Sequence, residues 1–452
     1  MQTRPLGWIG IIRLGLVQAA LGSIVVLTTS TLNRVMVVEL GVAALIPGAL
    51  VGLHYGVQIG RPLWGHGSDK GGRRTPWIIG GIGVLALGGI GAAVATSIMA
   101  VNFIAGLLLA IIDFGLIGVG VGAAGTSLLA LLASSVAPAR RPAAATVVWL
   151  MMILGIAVTA VISGKFLDPF SMTRLITVAT VIGLVALTLT IVAVAGVETS
   201  VGRPVATETS GPAVPFRVSL ADTWADPQAR LFTIFVFVSM LAYSMQDLIL
   251  EPFAGLAFGM TPGQTTQLSG LQNGGVFLGM VLVGVAGSLL ARRIPSILKL
   301  FTVGGCVLSA VALAALAFSG SVAPLWPIAA NVFAIGFANG IFAVAAIGSM
   351  MALAGAAGPS KTGLRMGLWG AAQAIAFGLG GFAGSVAADA MRALSGSVGI
   401  GFGSVFLIEA LIFLAAATIA LRIGARSAPR PALARTVPAS LAGGALLRNE
   451  HA

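Results

Sequence analysis

The chain has very little charge for its length. Only 8% of its 452 residues are Asp, Glu, Lys or Arg, whereas 58% are apolar. A soluble domain carries charge on about a quarter of its residues, so a water-soluble fold is excluded for most of this chain. Lipid is the solvent that fits this composition. The 62 glycines fit it as well, because small residues let membrane helices approach one another closely.

Reactive side chains are also scarce. The single cysteine, Cys306, lies in an apolar run and can form no intrachain disulfide, so we predict a small buried hydrophobe. The three histidines show no metal-ligand spacing and no Ser–His or Cys–His arrangement, and no ATP-binding glycine loop is present. The sequence therefore predicts a protein that is not an enzyme, holds no metal site and is not driven by ATP.

The net charge of +12 could suggest nucleic acid as a partner. The basic residues, however, form short clusters between apolar runs and have no interleaved stacking aromatics. Such clusters set the topology of membrane proteins. We therefore expect the lipid bilayer, and no nucleic acid, as the surroundings of this chain.

Apolar runs long enough to cross a bilayer recur along the whole chain. A spanning helix needs about 20 mostly apolar residues, and twelve such runs are present. They fall near 9–32, 43–64, 76–99, 102–134, 143–165, 174–197, 229–250, 265–290, 296–318, 322–354, 363–388 and 400–423. This predicts an all-α polytopic membrane protein with an N-terminal six-helix half at 1–197, a polar cytoplasmic linker at 198–228, a C-terminal six-helix half at 229–423 and a flexible cytoplasmic tail at 424–452.

Lys and Arg are divided unequally between the two sides of the membrane. With the N-terminus in the cytoplasm, twenty of the 25 basic residues lie on the cytoplasmic side. Four lie on the opposite side: Arg34, Lys165, Arg174 and Arg392. An excess of this kind marks cytoplasmic loops, so both termini are predicted to be cytoplasmic.

The loop after the second run reads Gly65-His66-Gly67-Ser68-Asp69-Lys70-Gly71-Gly72-Arg73-Arg74. It resembles the signature loop of the major facilitator superfamily, G-x-x-x-D-[RK]-x-G-[RK]-[RK], at the place where that superfamily has it. The resemblance implies the major facilitator fold and a partner for Asp69 near Lys361 and Arg365. It also implies a conformational latch made by Gly65, Asp69, Lys70, Gly72, Arg73 and Arg74. A purely topogenic role for Arg73 and Arg74 fits equally well.

Ionisable groups inside the apolar runs are costly and usually functional. In the seventh run, Tyr243, Asp247 and Glu251 share one helical face. Two carboxylates on adjacent turns repel each other, so at least one should be paired or hold a proton. We predict an outer gate in which Arg34, at the end of the first run, pairs with Asp247 or Glu251. Glu39 is expected in a wet outer loop.

Other embedded polar groups are candidates for a cavity. Asp113 has no charged partner nearby in its run, which favours a cavity or proton-linked role, and Gln246 and Tyr243 are further cavity candidates. His54 is isolated among apolar residues. A lone histidine of this kind is most often a hydrogen-bonded structural residue.

Several strings are more specific than the superfamily motif. They are Ile11-Ile12-Arg13-Leu14-Gly15, Thr31-Leu32-Asn33-Arg34-Val35-Met36-Val37-Val38-Glu39-Leu40, Arg61-Pro62, Arg73-Arg74-Thr75-Pro76 and Gln246-Asp247-Leu248-Ile249-Leu250-Glu251-Pro252-Phe253. Together they resemble the PucC/LhaA branch, the bacteriochlorophyll-delivery family of purple phototrophic bacteria. The resemblance runs from near the N-terminus through the twelfth run, and it favours members linked to bacteriochlorophyll-synthesis genes.

The resemblance implies a photosynthetic assembly factor or transporter in the bacterial inner (intracytoplasmic photosynthetic) membrane. Its cargo would be bacteriochlorophyll or a precursor, and its partners would be light-harvesting or reaction-centre apoproteins or pigment-synthesis enzymes. His54 would then have a second possible role, as the ligand of the magnesium of a chlorin through a ring nitrogen. Two alternatives stay open: a proton-coupled exporter of a small apolar solute that uses Asp113 or the carboxylates of the seventh run, and a non-transporting scaffold for antenna assembly.

Overall fold

The computed structural model describes residues 5–61, 64, 73–137, 140–198, 221, 223–290, 293–294, 296–323, 325–356 and 359–423. Within these residues the chain is helical and contains no strand. Twelve long helices follow one another: α1 (Trp8–Glu39), α2 (Leu45–Gly60), α3 (Thr75–Met99), α4 (Phe103–Ser135), α5 (Arg141–Leu167), α6 (Met172–Val194), α7 (Pro227–Phe258), α8 (Pro262–Leu290), α9 (Ile297–Val322), α10 (Ile328–Ala356), α11 (Pro359–Ser395) and α12 (Val398–Arg422).

Eleven of these helices are long and apolar enough to cross a membrane, and α2 is a shorter apolar helix. The protein is therefore a multi-pass membrane protein, as its composition predicts. Each helix coincides with one of the twelve apolar runs, but three helices extend well past the predicted end, among them α11, which continues past 388 to Ser395. α1 continues past 32 to Glu39, and α7 continues past 250 to Phe258 with Pro252 inside it. α4 is one unbroken helix, and α10 begins only after Pro327.

The buried apolar side chains form two main clusters. Helices α1–α6 supply one of them, which Leu248 of α7 also joins, and helices α7–α12 supply the other. The two halves meet chiefly where α2 packs on α11 and where α5 packs on α8. Below, the terminal side is the side of the bundle where α1 begins and α12 ends, and the distal side is the opposite side.

Glycine lets helices cross at backbone contact. In α8, Gly275 and Gly279 lie against α10, where a Cβ at Gly275 would be 2.5 Å from the Phe333 carbonyl oxygen. In α10, Gly336 and Gly340 lie in turn against the carbonyls of Gln272 and Val276. Two G-x-x-x-G pairs therefore face each other, which is the close packing that abundant glycine predicts.

α1 contains two π-helical turns, at Leu27–Thr31 and Val35–Glu39. The Leu40 N–H donates to the Val35 carbonyl, five residues earlier, at 3.1 Å. Before the first π turn, α1 packs on α5 of its own half, with Gly15 and Gly22 against methionine and isoleucine side chains of α5. After it, α1 contacts α7 and α8 of the other half. The π turns therefore mark the point where α1 passes from its own half to the interface.

Cationic side chains cap four helices whose C-terminal ends lie on the terminal side. In each case the cation donates to carbonyl oxygens of the last turns, the end of the helix that carries partial negative charge. The pairs are Arg74 with Ala130 at 2.6 Å in α4, Arg13 with Ala193 at 2.9 Å in α6, Arg365 with Leu353 at 3.2 Å in α10, and Lys299 with Leu421 at 2.6 Å in α12. The basic residues of this side thus also have structural partners.

Candidate functional site

A cluster of aromatic and acidic side chains lies between the halves near the middle of the bundle. Tyr55 of α2 and Tyr243 of α7 flank Phe377 of α11, with ring centroids 5.9 and 5.7 Å from the Phe377 ring. Asp247, one turn beyond Tyr243, interacts electrostatically with both tyrosines. These are the only two tyrosines of the chain. With Glu409 of α12, which interacts with Asp247, these residues form what we call the central cluster.

Most of the central cluster is only partly buried. Asp247, both tyrosines and Phe377 keep accessible surface, whereas Glu409 is fully buried. The four partly buried side chains come from α2 of the first half and from α7 and α11 of the second half. They can therefore contact a molecule held between the halves.

On the distal side, the halves are joined by a set of polar contacts that we call the distal gate. It comprises the contacts that Thr31, Asn33, Arg34, Leu45 and Asp168 of the first half make with the second half. Thr31 Oγ1 is 3.0 Å from Thr266 Oγ1, the Leu45 N–H donates to Asp389 at 2.8 Å, and Asp168 accepts from the Thr261 hydroxyl at 2.6 Å. Asn33 donates to the Leu248 carbonyl.

Arg34 is the cation of the distal gate. Its guanidinium donates to the Met260 carbonyl at 2.7 Å and forms an ion pair with Glu39. The Arg34 side chain is only 3% exposed and that of Glu39 is 34% exposed. A recess of about 590 Å³ opens on the distal side and is lined by both members of this ion pair. Arg34 thus links the end of α1 to the loop between α7 and α8.

This arrangement corrects the predicted partner of Arg34. The ion pair forms with Glu39, and neither Asp247 nor Glu251 is bonded to Arg34, although Glu251 lies within its electrostatic reach. Glu39 is also not in a loop, since it ends α1. The reason is the second π turn. Its i→i+5 hydrogen bonding brings residues five apart onto one face, whereas an α-helix would turn Glu39 away from Arg34.

Glu251 contacts the distal gate from α7. It is buried and accepts a hydrogen bond from the Ser269 hydroxyl of α8 at 2.5 Å. The hydroxyls of Thr265 and Ser30 lie around the same carboxyl group. Of the two carboxylates on adjacent turns, Glu251 is therefore paired with hydroxyls near the distal gate, and Asp247 faces the central cluster.

Every hydrogen bond between the halves that we see in the described residues lies on the distal part of the bundle. At the terminal side, the polar contacts seen among the described residues stay within one half. Arg365, near which the partner of Asp69 is predicted, forms an ion pair with Asp226 just before α7, whereas Asp69 itself lies outside the described residues. Among the described residues, the two halves are therefore hydrogen-bonded to each other on the distal side of the bundle.

Most of the predicted latch loop lies outside the described residues, namely Gly65, Asp69, Lys70 and Gly72. Its last residues are described. The N–H groups of Arg74 and Thr75 donate to the Glu198 carboxylate at 2.7 and 3.0 Å, and the Thr75 hydroxyl donates to it at 2.7 Å. Glu198 follows α6, so it ties the end of the first half to the N-terminus of α3. A carboxylate at a helix N-terminus satisfies free N–H groups there and is favoured by the helix dipole.

The environment of Glu198 favours its ionised form. Partial burial raises the pKa of this carboxyl, but the three hydrogen bonds from Arg74 and Thr75 and the nearby Arg74 charge outweigh burial, so the net pKa is lowered. A lowered pKa in the folded state means stability that is present above the ordinary glutamate value of about 4.3 and is lost as the pH falls through the lowered value.

We therefore expect Glu198→Gln to destabilise the protein by about 1 kcal/mol at neutral pH, as loss of a helix N-cap does. Between about pH 5 and pH 3, the stability of the variant should also fall less than that of the wild type, because the variant has no carboxylate at position 198 to protonate. Thermal unfolding of the detergent-solubilised protein across this range measures both effects. Thr75→Val is the matched control, because it removes one hydrogen bond and keeps the charge. Equal pH profiles for wild type and Glu198→Gln would contradict the assignment.

Two predicted functional residues, the cavity candidate Asp113 and the pigment-ligand candidate His54, are buried inside the first half, although the His54 ring packs on Tyr55 at 4.8 Å between ring centroids. Asp113 is buried between α3 and α4, where a methyl group at Gly91 would collide with its carboxyl group. His54 is 2% exposed, its Nε2 is 3.0 Å from Gln58 Nε2, and its backbone carbonyl lies against Gly118 of α4. In this conformation neither side chain can touch a molecule between the halves. Their predicted roles, including the chlorin ligand at His54, would require the helices to separate.

Some residues of the site were not predicted. Tyr55 and Glu409 belong to the central cluster, and Asp168 belongs to the distal gate. The rarity of tyrosine was the available signal, because a chain with only two tyrosines that places both in membrane helices must satisfy two phenol groups there. Nothing in the sequence brings Glu409 to Asp247, because the two lie on helices that are far apart along the chain.

Two six-helix halves that pack on each other and are hydrogen-bonded on the distal side have the major facilitator fold. Solved structures agree with this. A bacterial homologue of the human lysosomal transporter Spinster, in an inward-facing and occupied conformation, is similar over 91% of this chain and 95% of its own, with TM-score 0.66 and 13% identity. A peptide transporter, POT, in complex with sulfate is similar over 93% and 97%, with TM-score 0.65 and 14% identity.

Within that fold, the chain belongs to the PucC family, whose model, described as PUCC protein, matches residues 31–428. The Bacteriochlorophyll synthase 44.5 kDa chain of Rhodobacter capsulatus is 53% identical over 97% of this chain and 99% of its own length. Protein PucC of Rhodobacter capsulatus is 30% identical over 91% of each chain. The family predicted from the sequence strings is thus confirmed.

Proposed function

We propose that this protein carries bacteriochlorophyll or a precursor within the bacterial inner membrane and delivers it to light-harvesting or reaction-centre apoproteins. One relative that is 53% identical is named as a bacteriochlorophyll synthase chain, which supports bacteriochlorophyll or a precursor as the cargo. The fold, which the similar solved proteins use for transport, favours a carrier over a synthase. In this proposal the terminal side faces the cytoplasm, in keeping with its excess of Lys and Arg.

The observation that carries the proposal is the chemistry of the central cluster. Sites for apolar ligands are lined by aromatic side chains with a few placed polar groups. The Tyr55, Phe377 and Tyr243 rings offer surface for offset stacking on a planar macrocycle. The phenols can donate hydrogen bonds to carbonyl groups at a chlorin edge, and a carboxylate oxygen such as that of Asp247 suits magnesium.

Pigment retention tests the proposal. We expect wild-type protein, purified in mild detergent from a phototrophic host, to retain bacteriochlorophyll or a precursor. The Tyr55→Ala/Tyr243→Ala double variant should retain about tenfold less per molecule, since two aromatic contacts contribute roughly 1–1.5 kcal/mol together. Phe318→Ala is the matched control, because Phe318 is an exposed aromatic of α9 outside the cluster. Absorbance of the extracted pigment measures retention.

A strain without the gene tests the biological role. We expect weakened near-infrared antenna bands in its membranes, restored by the wild-type gene and not by the tyrosine double variant. Normal antenna bands and normal pigment content in the deletion strain would refute delivery. Pigment-free protein that still binds antenna subunits would instead identify a scaffold.

A further inference from the structure

Glu409 is a buried acid for which the proposed carrier function gives no reason. It lies near the middle of α12 and is 0% exposed. In the described part of the chain, neither carboxyl oxygen has a hydrogen-bond partner and no ion pair includes it. An ionised carboxylate that is buried without a cation or a donor is very costly. A residue kept under these conditions in a membrane protein usually has a function.

A second unpartnered polar side chain faces it. Phe253 of α7 packs on Phe402 and Phe406 of α12, with ring centroids 5.6 and 5.2 Å apart. Gln246 lies two turns before Phe253, and Glu409 lies two turns after Phe402. Because the two helices are antiparallel, these positions meet at one level of the same interface. Gln246 is 1% exposed, and neither its amide nitrogen nor its amide oxygen has a partner.

Asp247 connects this interface to the central cluster. It is next to Gln246 in the chain, it interacts electrostatically with Glu409, and it has accessible surface between the halves. Glu409, which is buried in the α7–α12 interface, therefore has in Asp247 an acidic neighbour with accessible surface. Two neighbouring carboxylates that repel each other in a buried site are not both ionised without a penalty, so such a pair can share a proton.

The other titratable groups near the pair do not supply a counter-charge. The Tyr55 and Tyr243 hydroxyls face Asp247, and His54 and Arg61 of α2 lie beyond Tyr55. α10 contributes no charged residue in its described span, and α9 contributes the buried thiol of Cys306. Glu251 lies one turn from Asp247 on α7, and the remaining charged residues of the packed helices are near helix ends: Arg13, Arg34, Glu39, Arg230, Lys299, Lys361, Arg365, Asp389, Arg392 and Arg422.

We propose that Asp247 and Glu409 form a proton-binding site, with Gln246 as the side chain that hydrogen-bonds the protonated acid. Asp247 takes a proton from hydronium in the space between the halves: an O–H bond of hydronium breaks, leaving water, and an O–H bond on the Asp247 carboxylate forms. Transfer to Glu409 then breaks the Asp247 O–H bond and forms one on the Glu409 carboxylate. The return path runs through the same bonds in reverse and gives the proton back to water between the halves. Proton binding thereby alters the charge at the α7–α12 contact, which couples the packing of the second half to pH whatever the cargo is.

Infrared difference spectroscopy of the full-length protein in lipid vesicles tests the site, because a protonated carboxylic acid has its own carbonyl band. Between neutral and alkaline pH, we expect the wild type to lose such a band reversibly. Glu409→Gln should lack this change. Asp247→Asn should move the loss to lower pH, since the negative neighbour that favours the protonated acid is gone. Glu251→Gln, a buried acid one turn from Asp247, should leave the change in place.

Three results would overturn the site. They are a wild type with no pH-dependent acid band, a Glu409→Gln protein that keeps the full band, and an Asp247→Asn protein that titrates as the wild type does. The wild-type and Asp247→Asn measurements decide the matter even where Glu409→Gln does not fold. Pigment retention by these variants is a separate readout, so failure of the proton site and failure of pigment delivery are distinguishable.

Discussion

Arg34→Ala should shift the protein toward a conformation that is open at the distal side. The substitution leaves Glu39 without its cation and the Met260 carbonyl without its donor. Removing one member of a buried ion pair costs ~3–5 kcal/mol, but the Glu39 side chain is about one-third exposed and can be rehydrated. We therefore expect the closed state to lose about 2 kcal/mol, which is roughly a 30-fold change in the conformational equilibrium.

A distance across the distal side measures this shift. Val101 follows α3 in the first half, Leu325 precedes α10 in the second half, and both are more than 90% exposed. Cysteines at these positions accept spin labels, and the native Cys306 is fully buried. The label distance should lengthen in Arg34→Ala and stay unchanged in Lys165→Ala, which removes an exposed cation at the end of α5. An unchanged distance distribution in Arg34→Ala would exclude Arg34 as a gate residue.

Alanine substitutions of the adjacent glycines Gly274 and Gly275 in α8 should change the stability of the protein in opposite directions. A Cβ at Gly275 would lie 2.5 Å from the Phe333 carbonyl oxygen and 2.9 Å from the Phe337 nitrogen, both in the α10 backbone. The helices must then separate, which costs about 1–3 kcal/mol for an overpacked contact. At Gly274, no atom lies within 4 Å of the added Cβ. Alanine there gains helix propensity, worth up to about 1 kcal/mol.

Thermal unfolding in detergent compares the two substitutions directly. Gly275→Ala should melt below the wild type, and Gly274→Ala should melt at or above it. The pair is matched in helix, chemistry and depth, so a general intolerance of α8 to alanine cannot produce opposite signs. Equal melting temperatures for the two variants would show that α8 and α10 do not cross at backbone contact.

The helices could be predicted because a membrane-spanning helix mainly requires one sequence feature, a long apolar run. Where a polar residue or a proline lies inside a membrane helix, the predicted span ended before the helix does. Glu251 and Pro252 looked like the end of the seventh run, yet the helix continues through Pro252, and Asn33 of α1 donates to the Leu248 carbonyl that the missing proline N–H leaves free. Proline in a membrane helix is tolerated when neighbouring groups satisfy the backbone.

The site was harder to predict, because it depends on pairing across the fold. The face shared by Tyr243, Asp247 and Glu251 was read correctly from helical spacing, but the two carboxylates have different neighbours, Tyr55 and Glu409 for the first and Ser269 for the second. The Arg34–Glu39 pair was missed for a local reason. Their spacing suits a π turn, which neither composition nor α-helical periodicity signals.

The π turns also affect how α1 can move. A helix that kinks at proline bends about a fixed point. In a π turn, by contrast, the i→i+5 hydrogen bond can change to an i→i+4 bond, which moves the extra residue into a neighbouring turn of the helix. The distal part of α1, from Leu27 to Glu39, could therefore rotate about its own axis and carry Arg34 away from Met260 without unfolding. In α1 the hinge would be a change of hydrogen-bond register, so a single-residue deletion there would fix the gate in one orientation.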